Sequence, residues 1–229
     1  MTQPAPLTVV FDLDGTLVET APDLLEALTV ALKAEGVDPL PFEQGRDLIG
    51  AGARALVQRG LKVAERMATE DRIDELHAIF LDHYGAHIAD RSHPYDGCLA
   101  ALDRLKAQGA RLAVCTNKIE RYARQLLDAL GMTEKFDAIV GGDTYPVSKP
   151  RPEPLLGAIE QAGGDPARAI MVGDSETDVG AARAAGVPVV VASFGYTLIP
   201  PTELGGDALI DHYDELDVAV ARLAPAACA

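Results

Sequence analysis

The chain has 229 residues, 48% of them hydrophobic and 24% charged, which suits a globular protein with a real core and argues against wholesale disorder. Its 20 basic and 35 acidic residues leave a formal net charge of −15, which excludes a general nucleic-acid surface and an anionic-membrane surface, since both need basic patches. Three cysteines at irregular spacing (Cys98, Cys115, Cys228) form no disulfide framework and no CxxC metal pattern, MTQPAPL does not read as a signal peptide, and no apolar run reaches the roughly 20 residues of a membrane span, so the expectation is a reduced, cytoplasmic protein.

In chain order, the first predicted strand is TVVFDLD at 8–14. Residues 20–90 follow with no convincing strand; DLLEALTVALKAEG, ARALVQRGLKVA and TEDRIDELHAIFLDHYGAHI read as amphipathic helices. Pro94, Tyr95, Asp96 and Gly97 form a turn-rich return. Strand runs then come at 111–117, 137–143, 169–175 and 187–193, with a weaker one at 207–212. Helix-like CLAALDRLKAQG, IERYARQLLDALG, PLLGAIEQAGG and DVGAARAAG separate them, and Gly109, Gly131 and Gly186 supply C-terminal stops. The Ala-rich tail at 218–229 reads as a last helix with a frayed end.

The strand runs are nearly continuously apolar, which predicts a sheet covered on both faces. Strand alternating with helix predicts a parallel α/β sheet with right-handed crossovers. The gap between the first and second strands is far longer than one crossover needs. Residues 20–90 are therefore expected to pack as a small helical domain inserted into a core of 1–19 and 91–229.

Polar residues gather at the strand ends. Asp12 and Asp14 are two apart, so on an extended backbone both leave the same face. Their charges repel unless something positive stands between them. Thr116 and Asn117 end the second strand, Asp174 ends the fourth, and Lys149 lies in the loop SKPRPEP. The carboxyl ends of an open parallel sheet form its ligand crevice, so these groups are expected to converge.

DLDGT, a Thr-Asn at a strand end, a lysine in SKP and GDSETD, in that order, resemble the haloacid dehalogenase superfamily of phosphohydrolases over essentially the whole chain. TNK, SKPRPEPL, VGDSETDVGAARAAG and SFGY are similar to its phosphoglycolate phosphatase-like branch, and so is IGAGARALVQRGL in the inserted helices. The resemblance implies a Rossmann-like core with a helical cap and a Mg²⁺-dependent phosphomonoester hydrolase. Its partner would be a small phosphorylated metabolite, with 2-phosphoglycolate the leading candidate.

By that resemblance Asp12 is the nucleophile that forms an aspartyl-phosphate, and Asp14 is the general acid and base. An oxygen-only site suits Mg²⁺, held by the Asp12 carboxylate, the Asp14 backbone carbonyl and Asp174. Asp178 would contribute through water or by orienting its neighbours. Lys149 supplies positive charge to phosphate and nucleophile, and with Mg²⁺ it is expected to sit among the paired carboxylates. The Thr116 hydroxyl and the Asn117 N–H hold phosphate oxygens. Relatives that cleave carbon–halogen bonds lack the second aspartate and ion-pumping ATPases carry threonine there, so Asp14 favours phosphate-ester turnover. A phosphomutase of the β-phosphoglucomutase kind, a pyrophosphatase, a sugar-phosphate phosphatase and a non-catalytic phosphometabolite-binding protein are the alternatives.

Several residues carry a bland reading beside a functional one. Arg54 could meet a second substrate anion or lie on a helix surface. The GAG before it could let backbone approach a ligand. Gly15 and Thr16 are expected to make a tight turn and position Asp14, and Glu19 either orients groups near the cap hinge or is solvated. His83 and His87 share a helix face without a visible third metal ligand. Cys115 reads as a small core residue. Monomer and homodimer both stay open.

Overall fold

In the computed structural model, which describes residues 6–224, TVVF forms β1 (Thr8–Phe11) and is buried throughout. A two-residue strand, β2 (Val18–Glu19), leads into four helices: α1 (Ala21–Lys33), α2 (Phe42–Arg46), α3 (Ala53–Val63) and α4 (Glu70–Ala86). The chain returns through β3 (His93–Pro94), antiparallel to β2. Strand and helix then alternate through α5 (Cys98–Ala107), β4 (Arg111–Cys115), α6 (Glu120–Ala129) and β5 (Ala138–Val140). They continue through α7 (Glu153–Gln161), β6 (Ala169–Gly173), α8 (Glu176–Ala185), β7 (Val189–Ala192), β8 (Ala208–Ile210) and α9 (Leu216–Leu223).

The sheet has 6 strands in the order β5-β4-β1-β6-β7-β8, all parallel. The chain runs outward from β1 to β5, then crosses back to β6 on the other side. β1 is therefore the topological switch point, where open α/β sheets form their ligand crevice. Both faces are covered, as the continuous apolar runs require. Val9 and Phe11 pack with Leu102 of α5, Leu126 of α6 and Leu216 of α9. Val10 points the other way, into the cluster of Leu155 and Ile159 of α7 and Ala182 of α8.

The inserted helices build a layer of their own. Ile73, Leu76, Phe80 and Tyr84 recur at helical spacing along α4 and share a core with Leu28 and Leu32 of α1 and Leu56 and Leu61 of α3. Gly109, Gly131 and Gly186 adopt φ of +82°, +66° and +68°, the left-handed stops that end α5, α6 and α8. The short α2 was not anticipated: its 5 residues are too few to show a period. The last helix ends at Leu223, and residues 225–229, with Cys228, lie outside the described residues. No helix among the described residues is long and apolar enough to cross a membrane.

Candidate active site

Asp12 leaves the carboxyl end of β1 with its N–H donating to Val172 O of β6 at 2.9 Å. Gly15 then turns the chain at φ +84°, and its N–H closes on Val18 O at 3.0 Å. A Cβ at Gly15 would lie 2.5 Å from Asp174 Oδ2 and 2.8 Å from Tyr196 Cδ2, so the tight turn also makes room for the Asp174 carboxylate.

Three carboxylates meet at this edge. Asp12, Asp174 and Asp178 each offer an oxygen within 4.8 Å of the others, and all three residues are buried. Lys149 Nζ stands 2.9 Å from Asp12 Oδ1 and donates to Asp178 Oδ1 at 2.6 Å. The approach to Asp12 is an ion pair whose angle makes no hydrogen bond, so the buried Asp12 Oδ1 is without a hydrogen-bond donor. Asp174 accepts from the Thr16 hydroxyl at 2.7 Å and from Tyr196 N at 2.6 Å. Asp178, in the first turn of α8, accepts on Oδ2 from Asp174 N, Ser175 N and Ser175 Oγ at 3.1, 3.0 and 2.6 Å. Both Asp178 oxygens are thus engaged in holding Lys149 and the Asp174–Ser175 turn.

The electrostatics are unbalanced. Three carboxylates face one ammonium, so full ionisation would leave two negative charges in excess in a buried site. Burial pushes Asp12 up to about 6, against the pull of Lys149 and with added repulsion from Asp178. Burial, then Asp178 and Asp12, raise Asp174 well above the carboxylate range. Burial works against the Lys149 charge, but Asp12 and Asp178 outweigh it and hold the ammonium protonated. An all-oxygen donor set with two charges in excess and one buried oxygen lacking a donor fits a hard divalent cation such as Mg²⁺.

The Asp14 carboxylate lies outside this group of three and Lys149 is not its partner, which corrects the expectation that Lys149 sits among the pair. Its carboxylate accepts from Lys118 Nζ at 2.9 and 3.0 Å and from the Thr20 hydroxyl at 2.8 Å. Each aspartate therefore has its own buried lysine. Lys118 stays protonated because the Asp14 charge overcomes the cost of burial. Thr16, expected to position Asp14, holds Asp174 instead, and Thr20 takes the expected role.

Between core and cap lies a cleft of about 530 Å³ including its mouth. Asp12, Asp14, Thr116, Asn117 and Lys118 line the core side; Leu24, Leu56, Phe80 and Tyr84 are among the residues lining the cap side. The Thr116 hydroxyl accepts from Lys118 N at 3.1 Å. The Asn117 side chain donates to Lys149 O at 3.2 Å and reaches Gly50 O of the cap at 3.4 Å. Gly50 and Gly52 also line the cleft, and a Cβ at Gly52 would come within 3.3 Å of Asn117 O, so at Gly52 the GAG loop lies close to the Asn117 backbone.

Arg54 is not brought to the cleft. Its guanidinium bonds Asp74 at 2.8 Å and Glu70 at 2.6 Å on the cap surface, where α4 supplies both acidic partners. Glu19 is half-buried and held in place: it takes a hydrogen bond from the Tyr196 hydroxyl, another from Ala21 N at 3.1 Å and a third from Tyr95 at 3.2 Å. Cys115 is buried, and its thiol is pushed up to about 12 by that burial, which suits a core residue rather than a nucleophile. The His83 and His87 rings stack with centroids 4.5 Å apart, and His87 bonds Asp90. Neither histidine joins a group of three candidate metal ligands among the described residues.

Three residues at the site were missed from sequence. Lys118 is the K of TNK, and a cation one step past two polar strand-end residues could have been noted. Tyr84 looks like one more member of the α4 core stripe. Tyr196 is the Y of SFGY, but its role is not readable there, because its partners Asp174 and Glu19 are distant in sequence.

Comparison with known proteins agrees with this geometry. The family described as haloacid dehalogenase-like hydrolase matches residues 9–192. The phosphoglycolate phosphatase of Caulobacter vibrioides is 46% identical over 92% of this chain and 88% of its own. That of Agrobacterium fabrum is 45% identical over 94% of this chain and 92% of its own. The crystal structure of a predicted phosphoglycolate phosphatase from Haemophilus somnus superposes with a TM-score of 0.86 at 34% identity, covering 96% of this chain and 99% of that one.

Proposed function

The chain belongs to the haloacid dehalogenase-like hydrolase family, and on that premise we propose that this phosphatase hydrolyses 2-phosphoglycolate to glycolate and phosphate, with Mg²⁺, through an aspartyl-phosphate on Asp12. One observation carries the reading. A buried carboxylate oxygen without a hydrogen-bond donor sits at the sheet's switch point, beside an ammonium and two further carboxylates, and faces a cleft. The names of the relatives support the substrate.

Asp12, Asp174 and the backbone at Asp14 would hold the cation, with Asp178 orienting them. When bound, the ion offsets the excess negative charge and draws electrons from the phosphoryl group. The residues then divide the chemistry. The Thr116 hydroxyl and the Asn117 N–H hold phosphate oxygens, and Lys149 adds positive charge. Asp12 attacks phosphorus while the bond to the glycolate oxygen breaks, and Asp14, which enters this step in its protonated form, gives that oxygen its proton and is left as the carboxylate. Water then attacks the aspartyl-phosphate as Asp14 takes its proton back, which frees phosphate and restores Asp12. Lys118 and Thr20 keep the Asp14 carboxylate at the cleft wall throughout. Residues 20–90 act as the cap that excludes bulk water. The free, buried Cys98 and Cys115 suit a reducing cytoplasm.

Phosphate release with Mg²⁺ across a panel of small phosphomonoesters tests the reading. The expected result is the highest kcat/KM for 2-phosphoglycolate, and a flat or inverted ranking would overturn the substrate. Asp12→Asn should lower turnover by at least about 10⁴-fold with an unchanged circular dichroism spectrum. Retained turnover in that variant would remove Asp12 as nucleophile.

A further inference from the structure

Two tyrosines line the cleft, and their hydroxyls differ. Tyr122 of α6 donates to Leu81 O at 2.9 Å. Tyr84 of α4 is 2% exposed; its hydroxyl oxygen feels the Lys118 ammonium, but its hydrogen finds no acceptor in the protein. A buried hydroxyl left unpaired costs about 1–3 kcal/mol, and a phenylalanine would fill the same space without that cost. The hydroxyl therefore stands where a ligand would satisfy it. Its surroundings say which kind. Leu24, Leu56 and Phe80 make the wall apolar, and Lys118 is the only cation among the described residues lining the cleft. The Lys118 ammonium lies 4.5 Å from the Tyr84 ring centroid and gives two hydrogen bonds to Asp14, so one N–H is left on the side of the ring. The first turn of α3 lines the same cleft, and its leading N–H groups have no intrahelical acceptor. The unpaired acceptors of the cleft, Asp12 Oδ1 and Asn117 Oδ1, belong to the core wall, whereas the cap wall beside Lys118 offers a hydroxyl and helix N–H groups, which describes an anion site at that end.

We propose that Tyr84 is the cap's specificity residue, donating its hydroxyl hydrogen to the carboxylate at the glycolate end of the substrate, beside Lys118. The assignment rests on 2-phosphoglycolate as substrate. Burial pushes the phenol up to about 12, so it remains a donor at neutral pH. The phosphate is held by the core and the carboxylate by the cap, so the two ends are read by different domains.

Wild type and Tyr84→Phe are compared on 2-phosphoglycolate and on ethyl phosphate, which has a two-carbon tail without the carboxylate. The expected result is a drop of about 10- to 100-fold in kcat/KM for 2-phosphoglycolate, with ethyl phosphate changed less than about twofold. The melting temperature of the variant should be unchanged or higher, because no protein hydrogen bond is lost. A variant that keeps the wild-type preference, or that loses both substrates equally with a lowered melting temperature, would overturn the role of Tyr84 and leave the substrate standing. A wild type that turns over ethyl phosphate as well as 2-phosphoglycolate would instead overturn the substrate, and the carboxylate contact with it.

Discussion

Gly15 shows how tightly the site is fitted. Alanine there would sit at φ +84°, a left-handed conformation that costs about 1–2 kcal/mol for a residue with a Cβ. The same Cβ would press on Asp174 Oδ2 from 2.5 Å, and the short aspartate can yield only by breaking its bonds to Thr16 and Tyr196. Gly15→Ala should therefore lose about 2–4 kcal/mol of stability and at least about tenfold in Mg²⁺ affinity. Urea unfolding and titration calorimetry would measure the two effects; unchanged metal affinity would show that Asp174 is not a ligand. At this scale the sequence was legible where chemistry demands a residue type. Asp12, Lys149 and Asp174 could be picked out because a phosphate site needs carboxylates and a cation at strand ends. Which lysine serves which aspartate was not, since Asp14 and Lys118 lie 104 positions apart and only the folded turn after β4 brings them together.

The elements carry the cap on a narrow connection, the two-stranded pair β2 and β3. Asp23, in the first turn of α1 and 3% exposed, clamps it. It accepts from Ser92 N at 2.7 Å, Ser92 Oγ at 2.6 Å and Arg91 N at 3.1 Å, just before β3. Asp23→Ala would strand the buried Ser92 donors, so the expected loss is about 2–4 kcal/mol. A change under about 0.5 kcal/mol in urea unfolding would mean the clamp does not hold the connection. The outward ion pairs of Arg91 are exposed, and removing Glu26 should cost little by comparison. Each predicted strand proved shorter than its apolar run. The runs continue into Asp12, Thr116 and Asp174, which leave the ladder to face the cleft, and period alone cannot mark where pairing stops and the site begins. The helices of residues 20–90 were legible by amphipathic spacing, but the same spacing hid Tyr84 inside the α4 stripe.

The whole molecule opposes its own substrate. A net charge of −15 surrounds a site meant for an anion, so approach depends on local groups overcoming a repulsive field. The two contributions respond differently to salt. Lys118 and Lys149 are buried, and added ions screen them weakly. The surface charges are exposed, and their reach shrinks from about 30 Å at 0.01 M ionic strength to about 10 Å at 0.1 M. Salt should therefore remove more repulsion than attraction. At a fixed, saturating Mg²⁺ concentration, kcat/KM for 2-phosphoglycolate is expected to rise about two- to tenfold as KCl brings ionic strength from about 0.01 to 0.1 M. kcat should stay nearly constant, because it is read with substrate already inside the cleft. Steady-state kinetics at several KCl concentrations would check the sign. A fall in kcat/KM would show that an exposed positive patch, rather than the buried lysines, guides the anion in.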